Sequence, residues 1–397
     1  MQTYRISDKM TDMKPSAIRE IFKSLSDPSI IAFAAGNPAP ESFPVEAIAA
    51  FSEQILRDDP VSALQYSITE GYPALRDAVK ERLKTRFSVG GEGDDTIIVS
   101  GGQQGLELTA KVMCNEGDVV ICEDPSFIGA LNAFRSVGAR LAGVPLEEDG
   151  ICIEALEETL RNQPRAKILY LIPSFQNPSG VTMSLAKRKA VYELALRYGV
   201  VILEDNPYGE LRFAGEDIPT IKSMDTEGIV CYCGSFSKIL AAGIRVGFLC
   251  APKPILQKVV VAKQVEDVHT NIFFQMICEK FLTKFDCNAH IASVSQLYRR
   301  KCGLMTDTLE ATLPSGVTFT RPEGGLFLWC TVPDHIEIPE LVSRALEQKV
   351  AVVPGTAFAC DPNAVTHSVR LNYSTPSDEQ IVRGVGILSD VIRSFQS

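Results

Sequence analysis

The stretch Gly234–Gly247 (GSFSKILAAGIRVG) places one amine, Lys238, after an apolar run and among small, apolar and hydroxyl side chains. A lysine in such surroundings is biased toward its neutral, nucleophilic form, able to form an imine with an aldehyde. Ser235, Ser237 and Arg245 flank it with donors suited to a phosphate. Read alone, the segment is also compatible with a surface loop whose serines serve turn chemistry.

Four further segments carry groups of use to the same chemistry. Ser100–Gly105 (SGGQQG) runs from a strand end into a helix, where Gly101, Gly102 and Gln103 can bring backbone N–H groups to an anion. Asn177 lies in NPSG, just beyond the apolar run Ile168–Pro173. Asp205 and Tyr208 lie in EDNPY, after Val200–Leu203, at the edge of a parallel sheet where ligands of α/β proteins bind. Arg370 interrupts the apolar run SVRLNY, where a guanidinium needs an anionic partner. Each has a plainer reading as a tight turn, a solvated acid or a structural ion pair.

Together the segments match the needs of an aldehyde-bearing pyridine phosphate. Lys238 is the amine that anchors it. Gly101–Gln103 and Arg245 suit its phosphate, and Asp205 suits a protonated ring nitrogen. Asn177 and Tyr208 suit the ring oxygen, and Phe127, after a strand end, suits the ring face. Arg370 suits a substrate carboxylate.

The elements that must position these groups follow from the hydrophobic pattern. Thr96–Ser100, Asp118–Glu123, Ile168–Pro173, Val200–Asp205, IVCYCG and VGFLCAP read as strands. Between them lie helical stretches near Gln103–Met113 and Phe127–Val137, and one with Ser184 as N-cap and Gly199 just past its end. Non-alternating apolar strands separated by helices indicate an α/β unit with a mostly parallel sheet buried on both faces. After about Phe285 come a long helical stretch near Tyr298–Leu313, a hairpin-like VTFTRPEGGLFLWCTV, a helix (Pro339–Gln348), a strand (Val369–Tyr373) and a last helix (Ser377–Phe395). This is α+β organisation. The expected division is an arm at 1–44 packing on the small domain, a large cofactor-binding domain at 45–285 and a small domain at 286–397.

Composition narrows the class further. The 397 residues are 45% hydrophobic and 22% charged, within the range of folded globular chains. Lys and Arg number 39 against 49 Asp and Glu, a net charge of −10, which argues against a non-specific nucleic-acid binder. No apolar run reaches the roughly 18 residues of a membrane span, and the N-terminus shows neither a secretory nor a transit pattern. The eleven scattered cysteines read as reduced core thiols of a cytoplasmic protein. Neither the Cys231–Cys233 pair nor the four histidines (His269, His290, His335 and His367) has metal-ligand spacing.

On the S-x-S-K-x(6)-R segment and the motifs above, the chain resembles fold-type I pyridoxal-phosphate enzymes of aminotransferase class I/II. The closest likeness is the branch holding 2-aminoadipate and kynurenine aminotransferases. Ile30–Pro44 and Leu64–Arg76 share the resemblance, which runs from about Lys14 to the C-terminus. It implies an imine at Lys238, phosphate ligands at Ser235, Ser237, Arg245 and Gly101–Gln103, and ring contacts from Asn177, Asp205 and Tyr208. Arg19, Gly36 and Tyr66 match substrate-proximal positions, with Tyr66 supplied by the second subunit of a homodimer with shared active sites. Two departures are a glycine at 102, where serine is usual, and a phenylalanine at 127, often tyrosine. The implied reaction moves an amino group from an α-amino acid to a 2-oxo acid such as 2-oxoglutarate. The donor stays open among 2-aminoadipate, branched-chain and aromatic amino acids. A lyase or decarboxylase on the same fold, and a non-catalytic cofactor sensor, remain as alternatives.

Overall fold

The structure is a computed structural model describing residues 4–7, 10 and 27–395. Its strands are β1 (Ile31–Ala32), β2 (Asp94–Val99), β3 (Val119–Asp124), β4 (Arg140–Glu147), β5 (Gly150–Ile151), β6 (Ala166–Leu171), β7 (Val201–Asp205), β8 (Val230–Ser235), β9 (Gly247–Pro252), β10 (Thr318–Phe319), β11 (Phe327–Thr331), β12 (Val350–Ala351), β13 (Val353–Pro354) and β14 (Ser368–Asn372).

The large sheet has the order β2-β9-β8-β7-β6-β3-β4-β5. Strands β8, β7, β6, β3 and β4 run parallel, while β9 is antiparallel to both β8 and β2. Alternate residues of the central strands enter two separate apolar cores. Val120, Cys122, Ile168, Tyr170, Leu203, Cys231 and Cys233 fill one face, and Val119, Ile121, Leu169, Leu171, Ile202 and Val230 the other. Burial on both faces explains why these strands read as continuous apolar runs.

The antiparallel sense of β9 matters for the site. The parallel strands β3, β6, β7 and β8 end at one edge of the sheet, and so does β2. Reversal brings the start of β9 to that edge, with Gly247 opposite both Ser235 and Val99. The reversing turn, Phe236–Val246, contains Lys238 and Arg245. A Cβ on Gly247 would come within 2.8 Å of the Gly101 carbonyl carbon and the Gly102 nitrogen, so only glycine lets these backbones meet.

The helices around the sheet follow local signals. Ser184 caps Leu185–Tyr198 by accepting from Lys187 N, and Gly199 closes it in the left-handed region (φ 69°). Helices at Val45–Asp58, Pro60–Leu64, Pro73–Phe87, Lys253–Glu266 and Ile272–Thr283 add to those read from the pattern. The long helix begins at Cys287 and ends at Thr312, capped by Asp286, about three turns earlier than its apolar pattern suggested. At 26 residues it spans roughly 39 Å.

A second sheet, β10-β11-β14-β13, is antiparallel throughout. Arg370 sits on its central strand β14, opposite Trp329 and Val353. The segment from residue 27 to 43 is tied to this part of the chain. β1 pairs in parallel with β12, Asn372 N donates to Phe33 O (2.9 Å), and Ala39 N donates to the Tyr298 hydroxyl (3.0 Å). Those ties suspend Ala34–Gly36 over the edge of the large sheet.

Candidate active site

At that edge lies a cavity of about 350 Å³. Its walls bring together Gly36, Gly102, Gln103, Phe127, Asn177, Asp205, Tyr208, Ser235, Ser237, Lys238, Arg245 and Arg370, from every segment singled out by chemistry. Gly101 stands just behind, against Arg245.

The Lys238 ammonium donates to Gly36 O at 2.8 Å. Desolvation, then the nearby Arg370 and Arg245 charges, push its pKa down from 10.5 to about 8. An appreciable neutral fraction at neutral pH follows.

Asp205 ends β7 and is buried. Tyr170 pairs with Leu203 on the adjacent strand, so it faces Asp205 diagonally on the same side of the sheet. Its hydroxyl donates to Asp205 Oδ2 at 2.8 Å. Burial raises the carboxyl to about 7, against the lowering effect of that hydrogen bond. A cation against this group would restore its ionised form.

Arg370 is buried and, among the described residues, meets carbonyls and an amide where an ion pair was one expectation. It donates to Asn177 Oδ1 (3.0 Å), Ala34 O (3.0 Å) and Ala35 O (3.4 Å). Among the described residues its Nε has no partner, and the guanidinium lies 4.1 Å from the Phe327 ring centroid and 5.0 Å from that of Phe358. Burial lowers its pKa to about 10, which leaves it charged at neutral pH. A buried cation with an unsatisfied donor is suited to an incoming carboxylate. Asn177 Nδ2 reaches the Tyr208 hydroxyl at 3.4 Å, and burial drives the Tyr208 phenol upward, keeping it a donor.

At the opposite end, Gly101 adopts φ 78°, and a Cβ there would overlap the Arg245 guanidinium. Arg245 donates to Ser237 Oγ (3.2 Å), and Ser237 N donates to Ser235 Oγ (3.1 Å). Gly102 and Gln103 open helix Gly102–Met113, so their first-turn N–H groups lack intrahelical partners. A Cβ on Gly102 would make only ordinary contacts, 3.6 Å from Cys233 Sγ. The donor set fits pyridoxal phosphate: anion-binding groups at one end, a carboxyl in the middle, an amine beside it and a second cation beyond.

Tyr66 is 80% exposed, packs edge-on against His269, and does not line this cavity within one chain. Arg19 lies outside the described residues. Two contributors escaped the sequence reading. Tyr170 looked like one more apolar strand residue. Gly129 leaves room for the Phe127 ring, which a Cβ would strike, and its carbonyl accepts from Gln103 Nε2 (2.7 Å). The proximity of Gly129 to Phe127 in FIGA was the only available signal.

The family model for aminotransferase class I and II matches residues 28–388. Aromatic-amino-acid aminotransferase 1 of Thermococcus litoralis is 39% identical over 98% of this chain and 94% of its own. The 2-aminoadipate transaminase of Thermus thermophilus is 40% identical, over 96% of this chain and 95% of its own. Among solved structures, the α-aminoadipate aminotransferase LysN of Thermus thermophilus, complexed with N-(5′-phosphopyridoxyl)-L-leucine, superposes with a TM-score of 0.90. It is 39% identical and covers 98% of both chains.

Proposed function

The chain belongs to the class I and II aminotransferases, fold-type I enzymes that use pyridoxal phosphate, and from that premise we propose how its residues divide the work. Transamination moves an amino group from an α-amino acid to a 2-oxo acid; the acceptor proposed here is 2-oxoglutarate. When bound, the cofactor supplies an aldehyde that condenses with amines and a ring that withdraws electrons from the substrate α-carbon.

Lys238 is the anchoring amine and the base. Freed by the incoming substrate, its amine would take the α-proton and return it at the cofactor's aldehyde carbon, two bonds away and within reach of a single flexible side chain. Asp205 balances the charge of the ring nitrogen, and Tyr170 holds the carboxylate in place. Asn177 and Tyr208 donate to the ring oxygen. Arg245, Ser235, Ser237 and the amides of Gly101–Gln103 hold the phosphate, and Phe127 covers the ring. Arg370 grips the α-carboxylate, with Gly36 beside it. The observation that carries this reading is the convergence of Lys238, Asp205 and Arg370, from three distant segments, on one cavity.

The donors proposed are 2-aminoadipate and aromatic amino acids. Phe327, against Arg370, and Phe127 and Ile128 elsewhere in the lining give the cavity apolar walls, and the two relatives above are named for those substrates. A panel of amino donors with 2-oxoglutarate, read as glutamate formed, tests this. Release of ammonia or carbon dioxide without glutamate would reject transamination.

We further propose a homodimer. Val61, Leu64, Tyr66, Val265 and Val268 are exposed apolar side chains, suited to cover by a second copy that lends Tyr66 to its neighbour. Sedimentation at micromolar concentration checks it. The proposed division remains an arm to residue 44, a large domain at 45–285 and a small domain at 286–397. A cytoplasmic location is proposed on the eleven unpaired cysteines.

A further inference from the structure

Lys263 is among the largest side chains with no exposure at all, yet the reaction makes no use of it. Its ammonium donates to Gln104 Oε1 (2.7 Å), to Asp267 Oδ1 and Oδ2 (2.8 and 2.9 Å) and to Thr270 Oγ1 (3.0 Å). Asp267 Oδ2 accepts in addition from Ser100 Oγ (2.7 Å) and Gln104 Nε2 (2.8 Å). Gln104 Oε1 also accepts from Ser100 N (2.7 Å). Both ends of one amide are thereby pinned, and Ser100 is held through its backbone and its hydroxyl.

Ser100 and Gln104 bracket the three residues whose backbone faces the anion-binding end of the cavity. The far side of the network is also fixed. Gln275, fully buried, donates to Thr270 O (2.7 Å) and accepts from Tyr72 N (2.7 Å). Between Asp267 and Thr270 the chain passes through Val268 at φ 64°, a left-handed conformation that a β-branched residue adopts only under constraint. A buried charge held at this density, on a strained turn, specifies position more than it adds stability.

We infer that Lys263, Asp267 and Gln104 form a clamp that sets the Gly101–Gln103 backbone, making them positioning residues for the cofactor's phosphate. The inference rests on the phosphate-site reading above. Without the clamp, the Gly102 and Gln103 amides are free to tilt away from their common target, and the cofactor loses part of its grip at that end alone.

The test compares two ligands on cofactor-stripped protein: pyridoxal phosphate and pyridoxal, which lacks the phosphate. Binding is read from imine absorbance at Lys238. Gln104→Leu is expected to weaken pyridoxal phosphate roughly 5- to 30-fold, the span for an anion losing a well-placed helix N-terminus, and to leave pyridoxal affinity unchanged. KM for the amino donor at saturating cofactor should hold. Ser100→Ala, a milder cut of the same network, should shift the same ratio in the same direction and serves if Gln104→Leu does not fold. Equal weakening of both ligands, or of neither, overturns the clamp. Parent protein that binds pyridoxal as tightly as its phosphate would instead overturn the phosphate-site reading itself.

Discussion

Replacing Lys238 with methionine should abolish transamination and, in the cofactor-stripped protein, raise stability at neutral pH. The reason is electrostatic. The folded chain holds the ammonium where desolvation, Arg370 and Arg245 lower its pKa from 10.5 to about 8. A folded-state pKa below the unfolded one means that the charged form destabilises the fold. That penalty is fully present below about 8 and fades as pH rises toward 10.5. A gap of roughly 2.5 pH units at about 1.36 kcal/mol each is about 3 kcal/mol, and partial solvent access at the cavity reduces it to about 2 kcal/mol. Methionine also forfeits the hydrogen bond to Gly36 O, worth about 1 kcal/mol. The net expectation at pH 7 is a variant more stable by about 1 kcal/mol. By pH 10.5 the advantage should have vanished or reversed. Urea unfolding of stripped parent and variant at a series of pH values measures the difference directly, since other titrating groups cancel between the two. A parent–variant difference that does not change with pH between 7 and 10.5 would refute the reasoning, whatever its sign.

Three other substitutions probe separate contacts. Arg370→Lys keeps a charge but loses the planar fork, so KM for every amino donor should rise; at about 1.5–3 kcal/mol for one charged hydrogen bond, kcat/KM falls roughly 10- to 150-fold. Unchanged kcat/KM across the donor set would remove Arg370 from substrate binding. Tyr170→Phe withdraws the donor from Asp205, so the Asp205 pKa in stripped protein should climb further above about 7, visible by carbon-13 NMR titration, with a lower kcat. A downward or absent shift would mean that Tyr170 does not act on that carboxyl. Gly101→Ala places a methyl against the Arg245 guanidinium at a backbone φ of 78°, and cofactor affinity should drop while the rest of the fold persists by circular dichroism. Retained affinity would show that the turn does not shape the cradle.

Much of this site can be read from sequence because its groups violate local expectation. Lys238 is an amine among small and apolar residues, and Arg370 a cation inside a strand. Asp205 follows a run of apolar residues, so it must lie at a strand end. Each anomaly is visible without neighbours. Tyr170 is not, since a tyrosine in AKILYL looks like core; only the β6–β7 register gives it a carboxylate partner. The direction of β9 is equally hidden, because VGFLCAP has the same pattern in either sense, yet that reversal brings Arg245 back against Gly101 at the cavity edge. The ties from Ala34 and Gly36 depend on the pairing of β1 with Val350–Ala351, far along the chain. Tyr66 is exposed and stands outside the cavity walls, so the single chain gives it no part in the site.

The decisive experiment is borohydride reduction of the protein saturated with pyridoxal phosphate, followed by peptide mapping. A phosphopyridoxyl mass on the peptide containing Lys238, lost in Lys238→Met, is the expected result. The same mass on a different lysine, or no covalent adduct at excess cofactor, would contradict the assignment on which every other role depends.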